Sequence, residues 1–467
     1  MRASVIVKAI GFIALLFLLY ILIFGVITPL GCSHSLEEDR LEVPSAETLS
    51  QGGEERILCI DDNSEALLWR IRVMESAQEE IILSSFDMRN DNSARDIMAC
   101  LMNAADRGVQ VKFLLDGVSG FLLSAGCDTF RALAAQPNVE IKLYNPIDLL
   151  RPWTLNYRLH DKYLIADDQV YILGGRNIHD LFLGDYGEKQ NMDRDILTYE
   201  AAPCPDSSLN QVRDYFQRIW ALPECELLRY DGSHYSAEAE ELRSHYQVLR
   251  ESCPEAFLPV RWQEETFAVN SICLLTNPIE PENKAPTLWC ALNRLMGQGE
   301  DIRIQSPYVI CSQGMYDDLE ALCGAGKQLS VMINAVESGA NPWGCADYMN
   351  QKKAILNTGV EIYEYRGSSS SHTKTVLIDD QISVVGSFNV DMRSTYLDTE
   401  MMLVIDSPEL NAMLREEINA CMDESRHILP DGSQIPGPNC PEEKMGPVRN
   451  ALMWLFRAVT VPIRHLL

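Results

Sequence analysis

His160-Asp161-Lys162-Tyr163-Leu164-Ile165-Ala166-Asp167 returns later in the chain as His372-Thr373-Lys374-Thr375-Val376-Leu377-Ile378-Asp379. Both stretches read H-x-K-x-x-x-x-D. Each runs on through Asp-Asp-Gln (Asp167-Asp168-Gln169 and Asp379-Asp380-Gln381) and a short apolar segment to a glycine, and then to Asn177 or Asn389. The spacing from histidine to asparagine is the same in both copies, with no gap. A lone histidine two residues from a lysine is ordinary surface; two copies with the same sequel are a duplication. On a β-strand, residues i and i+2 point to one face. His160 therefore shares a face with Lys162, and His372 with Lys374.

Two such pairs brought into one pocket make a phosphodiester-exchange site that calls for no metal and no cofactor. One neutral imidazole attacks phosphorus while the other, as imidazolium, protonates the leaving alcohol. In-line attack spreads negative charge over the equatorial oxygens. The ammonium groups of Lys162 and Lys374 and the amides of Asn177 and Asn389 are suited to hold that charge. Asp167 and Asp379 complete the motifs, and they are read as holding the strand-turn geometry through side chain–backbone bonds.

Outward from the motifs the repeat extends to whole domains. Before the first motif come a helical stretch at Leu67 to Met74 and a buried strand at Glu80 to Phe86. A helix from a Ser93 cap to Ala104 follows, then a strand at Val109 to Leu115, a helix over 126–135 and a strand at Val139 to Tyr144. Before the second come a strand at Asp301 to Tyr308, a helix at Met315 to Cys323, a strand at Gln328 to Ile333, a helix at Cys345 to Asn357 and a strand at Val360 to Tyr365. Strands alternating with helices predict a mostly parallel sheet covered on both faces. The connection just before each histidine differs: 145–158, with Trp153, is longer than Arg366 to Ser371 and is a candidate substrate-contacting loop. The amphipathic segment 206–222 and the polar segment 236–252 read as connectors without chemistry.

The chain resembles the phospholipase D superfamily, whose members carry two such motifs, over roughly residues 57–425. Gly386-Ser387-Phe388-Asn389 with Arg393 and Ser394 is similar to that family's G-S-x-N-x-x-x-R-S. A finer resemblance is to bacterial cardiolipin synthases with Gly-Gly-Arg-Asn after the first motif, here Gly174-Gly175-Arg176-Asn177. His179-Asp180-Leu181-Phe182 departs from that branch, which bears on the acceptor alcohol. The resemblance implies an α/β fold: two α/β/α sandwich domains with pseudo-two-fold symmetry and one active site between them. It implies His160 as nucleophile and His372 as acid then base, with the reverse assignment also open. Lys162, Lys374, Asn177, Asn389 and Ser387 would bind phosphate, and Asp195 and Glu400 would orient the imidazoles. The expected reaction is phosphatidyl transfer between membrane phospholipids, as in cardiolipin synthesis. Phosphatidylglycerol is the expected lipid, with phosphatidylethanolamine a second candidate donor. Hydrolysis to phosphatidic acid is the main alternative, ahead of a nuclease or an inactive membrane scaffold. Gly175 lacks the hydroxyl of Ser387, so the halves are not equivalent.

The remaining features place the protein. The formal net charge of −28 argues against nucleic acid as substrate, because a nucleic-acid groove needs surplus Lys and Arg. Ile10 to Leu30 is an uncharged apolar run long enough to span a bilayer. Arg2 and Lys8 precede it and Glu37, Glu38 and Asp39 follow, which predicts a single-pass cell-membrane anchor with the catalytic part outside the cytoplasm; a cleaved signal peptide and a lipoprotein signal ending at Cys32 are the competing readings. The expected division is an anchor (1–33), a linker (34–56), a first domain (57–225), a connector (226–265), a second domain (266–426) and a tail (427–467). The tail's 448–467 stretch is basic and amphipathic. It fits either a membrane interface or the protein's own core. The 14 cysteines show no zinc spacing and read as buried thiols, with Cys204 and Cys225 the one candidate pair.

Overall fold

A computed structural model describes residues 2–27, 54–282, 284–442 and 445–467. Two nine-stranded sheets form the body. In the first, the strands lie in the order Cys225–Leu227, Val139–Tyr144, Gln110–Asp116, Glu80–Ser85, Tyr163–Ala166, Val170–Gly174, Asp195–Glu200, Glu55–Ile60 and Phe267–Ala268. In the second they lie in the order Gln434–Pro436, Ser425–Ile428, Glu361–Tyr365, Gln328–Asn334, Asp301–Gln305, Thr375–Ile378, Ile382–Gly386, Met401–Asp406 and Ser271–Thr276. The two orders match strand for strand through the motif region.

The sheets are mixed, which corrects the expectation of a mostly parallel sheet. Glu80–Ser85, Gln110–Asp116 and Val139–Tyr144 run parallel, and so do their counterparts in the second half. Every other neighbour pair described in these two sheets is antiparallel. The reason lies in the Asp-Asp-Gln turns, which fold each motif strand back on its successor as a hairpin. Asp167 and Asp379 take positive φ (50° and 49°) at these turns, a conformation that Asp tolerates better than most residues.

Side-chain alternation sorts the cores. Ile81 and Leu83 face the outer core of the first unit, and Ile82 faces the other way. In the second half Val376 and Ile378 face outward and Leu377 inward. The inward set merges into one cluster shared by both sheets, with Ile57, Tyr163, Tyr171 and Ile196 from the first and Ile272, Val385, Leu403 and Ile405 from the second. The helix Ser208–Trp220 belongs to this shared core through Val212, Phe216 and Ile219. Ser236–Ser252, read as a connector, packs Ala239, Leu242, Tyr246 and Leu249 onto the outer core of the first unit.

At the amino end, Arg2–Leu22 is helical and continues as a π-helical turn, Ile23–Ile27. Residues 28–53, with Cys32 and most of the expected linker, lie outside the described residues, as do the side chains of 2–7, 9 and 10. The apolar run Ile10 to Leu30 is thus described only in part. Among the described residues no helix is long and apolar enough to cross a membrane. The end of this helix meets the 145–158 loop: Tyr20 Oη donates to the Leu150 carbonyl (2.7 Å) and Phe24 packs edge-on to Trp153.

The tail helix, Pro447–Ile463, is docked by one face only. Met453 is buried and Phe456 packs on Trp343. Arg449 donates to the Val336 carbonyl and Arg464 to Asp347. Its other face leaves Leu452, Trp454, Leu455 and Val461 exposed. Cys204 and Cys225, the candidate pair, are both free thiols.

Candidate active site

The two motif histidines are each built from both halves. A parallel bridge joins Leu159 to Thr399, and the His160 amide donates to Thr399 Oγ1 (3.1 Å). One residue on, His160 Nδ1 meets Glu400 Oε1 at 2.9 Å. The mirror arrangement joins Ser371 to Met192, where the His372 amide donates to the Met192 carbonyl (2.7 Å). One residue on, His372 Nδ1 meets Asp193 Oδ2 at 2.6 Å. Each imidazole is thus fixed by a carboxylate from the opposite half. With Nδ1 committed, Nε2 of each ring is the atom left for chemistry.

Asp193, not Asp195, is the counterpart of Glu400, which corrects the expected assignment. Asp195 lies opposite Gly174 in its ladder, the place Met402 holds opposite Gly386. Its carboxylate binds Arg70 (2.9 Å) and Arg176 (3.2 Å) in the interior. The inequivalence of Gly175 and Ser387 also has a structural reason. A Cβ on Gly175 would lie 2.3 Å from Asp193 Oδ1, so glycine makes room for the orienting carboxylate. Ser387 instead donates to Glu400 Oε2 and so fixes that carboxylate from behind.

Lys162 and Lys374 are buried, and each donates to the carbonyl of its own histidine. Burial pushes Lys162 down to about 7 and Lys374 down to about 8, although neighbouring carboxylates oppose the shift. Lys374 Nζ also lies 2.8 Å from His372 Nδ1. That nitrogen cannot both accept from Lys374 and donate to Asp193. The ionised carboxylate is the stronger partner, so the Nδ1 proton belongs to Asp193. Burial alone would raise Asp193, but Lys374 and His372 carry it down to about 2. Burial and the adjacent lysines hold His160 well below the ordinary histidine range and His372 at about 4. Burial also raises Glu400, against Lys162 and Ser387.

Asn177 and Asn389 are buried, and the Oδ1 of each has no protein partner. Their amides therefore retain hydrogen-bonding capacity for a ligand. Asp167 accepts from the amides of Gln78, Glu79 and Glu80, all at 2.8 Å, and Asp379 from Glu300 (2.8 Å) and Asp301 (2.9 Å). Both sit at the turns and hold the adjoining strands together. Two aromatic walls come from the first half alone: Phe86 lies 4.9 Å from His160, and Phe182 lies 4.9 Å from His372.

A family model described as cardiolipin synthase, phospholipase D-like domain, matches residues 71–220 and 292–422. The chain belongs to this family. It is 28% identical to cardiolipin synthase C of Escherichia coli over 76% of this chain and 82% of that one. It is 26% identical to cardiolipin synthase B of Salmonella typhi over 76% and 78%. The crystal structure of phosphatidylserine synthase from Haemophilus influenzae superposes with a TM-score of 0.61 at 16% identity, covering 90% of this chain and 98% of that one, which speaks to the fold.

Within this phospholipase D-like frame, Asp193, Thr399, Phe86 and Phe182 are the site residues that the motif reading missed or misassigned. A signal for Asp193 existed. Setting the apolar run from Ile196 against that from Leu403 puts Asp193, not Asp195, at the place of Glu400.

Proposed function

We infer that the chain is a phosphatidyltransferase of the cardiolipin synthase type, working through a phosphohistidine. The observation that carries this reading is the pair of imidazoles, each held through Nδ1 by a carboxylate of the other half. Such a pair is poised for one nucleophile and one acid–base, which is what exchange of one alkoxy group on phosphorus requires.

The roles follow from the carboxylates. Burial disfavours the ion pair between Glu400 and His160, so His160 stays neutral and nucleophilic. His372 rests neutral, and ionised Asp193, which opposes the downward pull of burial and Lys374, stabilises the imidazolium that His372 becomes on taking up a solvent proton as the donor binds. His160 Nε2 attacks the phosphorus of a donor phospholipid, and the P–O bond to its headgroup breaks. His372 gives its proton to the leaving oxygen. Neutral His372 then takes the proton of an acceptor lipid's hydroxyl as that oxygen attacks the phosphatidyl-His160. The P–N bond breaks and His160 is freed. Lys162, Lys374, Asn177 and Asn389 hold the phosphoryl oxygens through both steps. With phosphatidylglycerol as donor and acceptor, the products are cardiolipin and glycerol; phosphatidylethanolamine as donor would release ethanolamine.

Transfer beats hydrolysis only where acceptor is concentrated and water is scarce. A membrane setting supplies both. Its support is the apolar run Ile10 to Leu30, the exposed Leu149, Leu150 and Trp153 of the loop before His160, and the outward apolar face of the tail helix. Arg2 and Lys8 before the run, and acidic residues after it, favour catalytic domains outside the cytoplasm. The test is product analysis with purified protein on phosphatidylglycerol vesicles. Cardiolipin with glycerol is expected. Phosphatidic acid as the dominant product would make the protein a phospholipase D instead.

A further inference from the structure

Asp87 and His179 flank the catalytic centre and take no part in the chemistry above. A parallel bridge joins Met88 to Ile178, with the Arg89 amide donating to the Ile178 carbonyl (3.2 Å) and the Ile178 amide to the Asp87 carbonyl (2.9 Å). Met88 and Ile178 turn into the core. By the alternation of extended chain, Asp87, Arg89, Asn177 and His179 turn to the opposite face. Asn177 is the phosphate-binding amide, so His179 shares its side of the segment. Phe182 ties the two regions together, its ring 4.9 Å from His179 and 4.9 Å from His372. On the other flank Phe86, next to Asp87 in the chain, packs on His160.

His179 is 2% exposed, and its Nδ1 is buried with no protein partner. Its Nε2 lies 3.5 Å from Asp87 Oδ2. A carboxylate only accepts, so the proton belongs on Nε2 and Nδ1 is left as an acceptor. Burial and Arg89 keep the ring neutral, pushed down to about 4. Asn177 Oδ1 and Asn389 Oδ1 are buried and unpartnered in the same way. A buried polar atom without a partner is costly, and a ligand at this face would relieve the cost. Asp87 also accepts from Arg89 Nε (3.0 Å) and Ser119 Oγ (3.2 Å). Asp87, Arg89, Asn90 and Ser119 form the polar end of a cavity of about 500 Å³ whose other lining includes Leu122 and Leu123, and His179 adjoins that end through its contact with Asp87.

We propose that Asp87 and His179 hold the terminal diol of a glycerol-type headgroup and so position the acceptor lipid for attack on phosphatidyl-His160. Two acceptors, the Asp87 carboxylate and His179 Nδ1, suit two hydroxyl donors. Arg89 already offsets the charge of Asp87, so a neutral diol fits better than an ammonium group. Leu122 and Leu123 suit the glyceride end of the same lipid. His179 acts here as a positioning residue, and the assignment rests on the transferase reading above.

The test supplies purified full-length enzyme with phosphatidylglycerol vesicles and with ethanol as a competitor bearing one hydroxyl. The ratio of cardiolipin to phosphatidylethanol is measured for the wild type, His179→Ala, His179→Asn and Asp87→Asn. The ratio is expected to fall about fivefold or more in His179→Ala and in Asp87→Asn, the loss of one acceptor in each. It is expected to recover in His179→Asn, whose Oδ1 accepts in place of Nδ1. Should His179→Ala fail to fold, Asp87→Asn carries the comparison. An unchanged ratio in the folded variants overturns the assignment, and so does a loss of both products in step that His179→Asn does not reverse. If the wild type makes neither product, the transferase reading itself falls.

Discussion

His372 of the second half and Asp193 of the first meet at 2.6 Å, although 179 positions separate them in the chain. The contact makes the two halves one catalytic unit, because neither holds both a histidine and the carboxylate that orients it. Asp193→Asn is expected to lower kcat by about 10²- to 10⁴-fold, the scale seen when a buried orienting carboxylate is replaced by its amide. Asp195→Asn removes a partner of Arg70 and Arg176 and should show mainly as a lower melting temperature. Steady-state kinetics and thermal melts on both variants check this. A catalytic loss larger for Asp195→Asn than for Asp193→Asn would restore the original assignment.

The pH profile should slope toward acid. An ammonium whose pKa is lowered on folding loses its charge as pH rises through that value. Lys162 at about 7 and Lys374 at about 8 therefore stop neutralising phosphate between neutral and mildly alkaline pH. His160 is held well below the ordinary range, so the nucleophile stays neutral into mild acid. Measured kcat/KM on a fixed lipid surface is expected to decline from pH 7 to pH 9. A profile that is flat or rising to pH 9 would contradict the assigned charge states.

The motif aspartates should matter for stability before chemistry. Asp167→Ala removes the acceptor of three amides at the entry to the neighbouring strand and leaves alanine at positive φ, a loss of about 2–4 kcal/mol. Asp379→Ala removes two and should cost less. Denaturant titration reads both. Variants that keep full stability and lose turnover would move these residues into the reaction itself.

The outer face of the tail helix should be felt only on bilayers. Trp454 and Leu455 are 65% and 62% exposed, with the helix held from the other side. Trp454→Glu with Leu455→Glu is expected to cut turnover on vesicles about tenfold relative to a monomeric short-chain phospholipid. Equal losses on both substrates would mean that the face serves the fold and not the membrane.

The motif duplication made much of this legible. The His–Lys pairs, the two asparagines and the domain-scale repeat follow from the duplicated pattern, and Glu400 from the family resemblance. The strand directions did not, because periodicity reports burial and not orientation; the hairpins at Asp167 and Asp379 set them. Asp193 was obscured by a segment five residues longer between Asn177 and its carboxylate than between Asn389 and Glu400, and by a second aspartate two positions on. The contact of His179 with Asp87 joins residues far apart in the chain through one bridge, and no local pattern announces it. The tail helix was legible as amphipathic, but which apolar side chains it docks depends on Trp343 and its surroundings.

The most direct measurement is rapid chemical quench of the wild-type enzyme turning over phosphatidylglycerol, with the trapped covalent species mapped by mass spectrometry. A phosphatidyl or phosphoryl adduct on His160, absent from His372 and lost in His160→Ala, is the expected result. An adduct on His372 would reverse the two roles. No adduct on either histidine, at a quench time when product is accumulating, would contradict the shared phosphohistidine site.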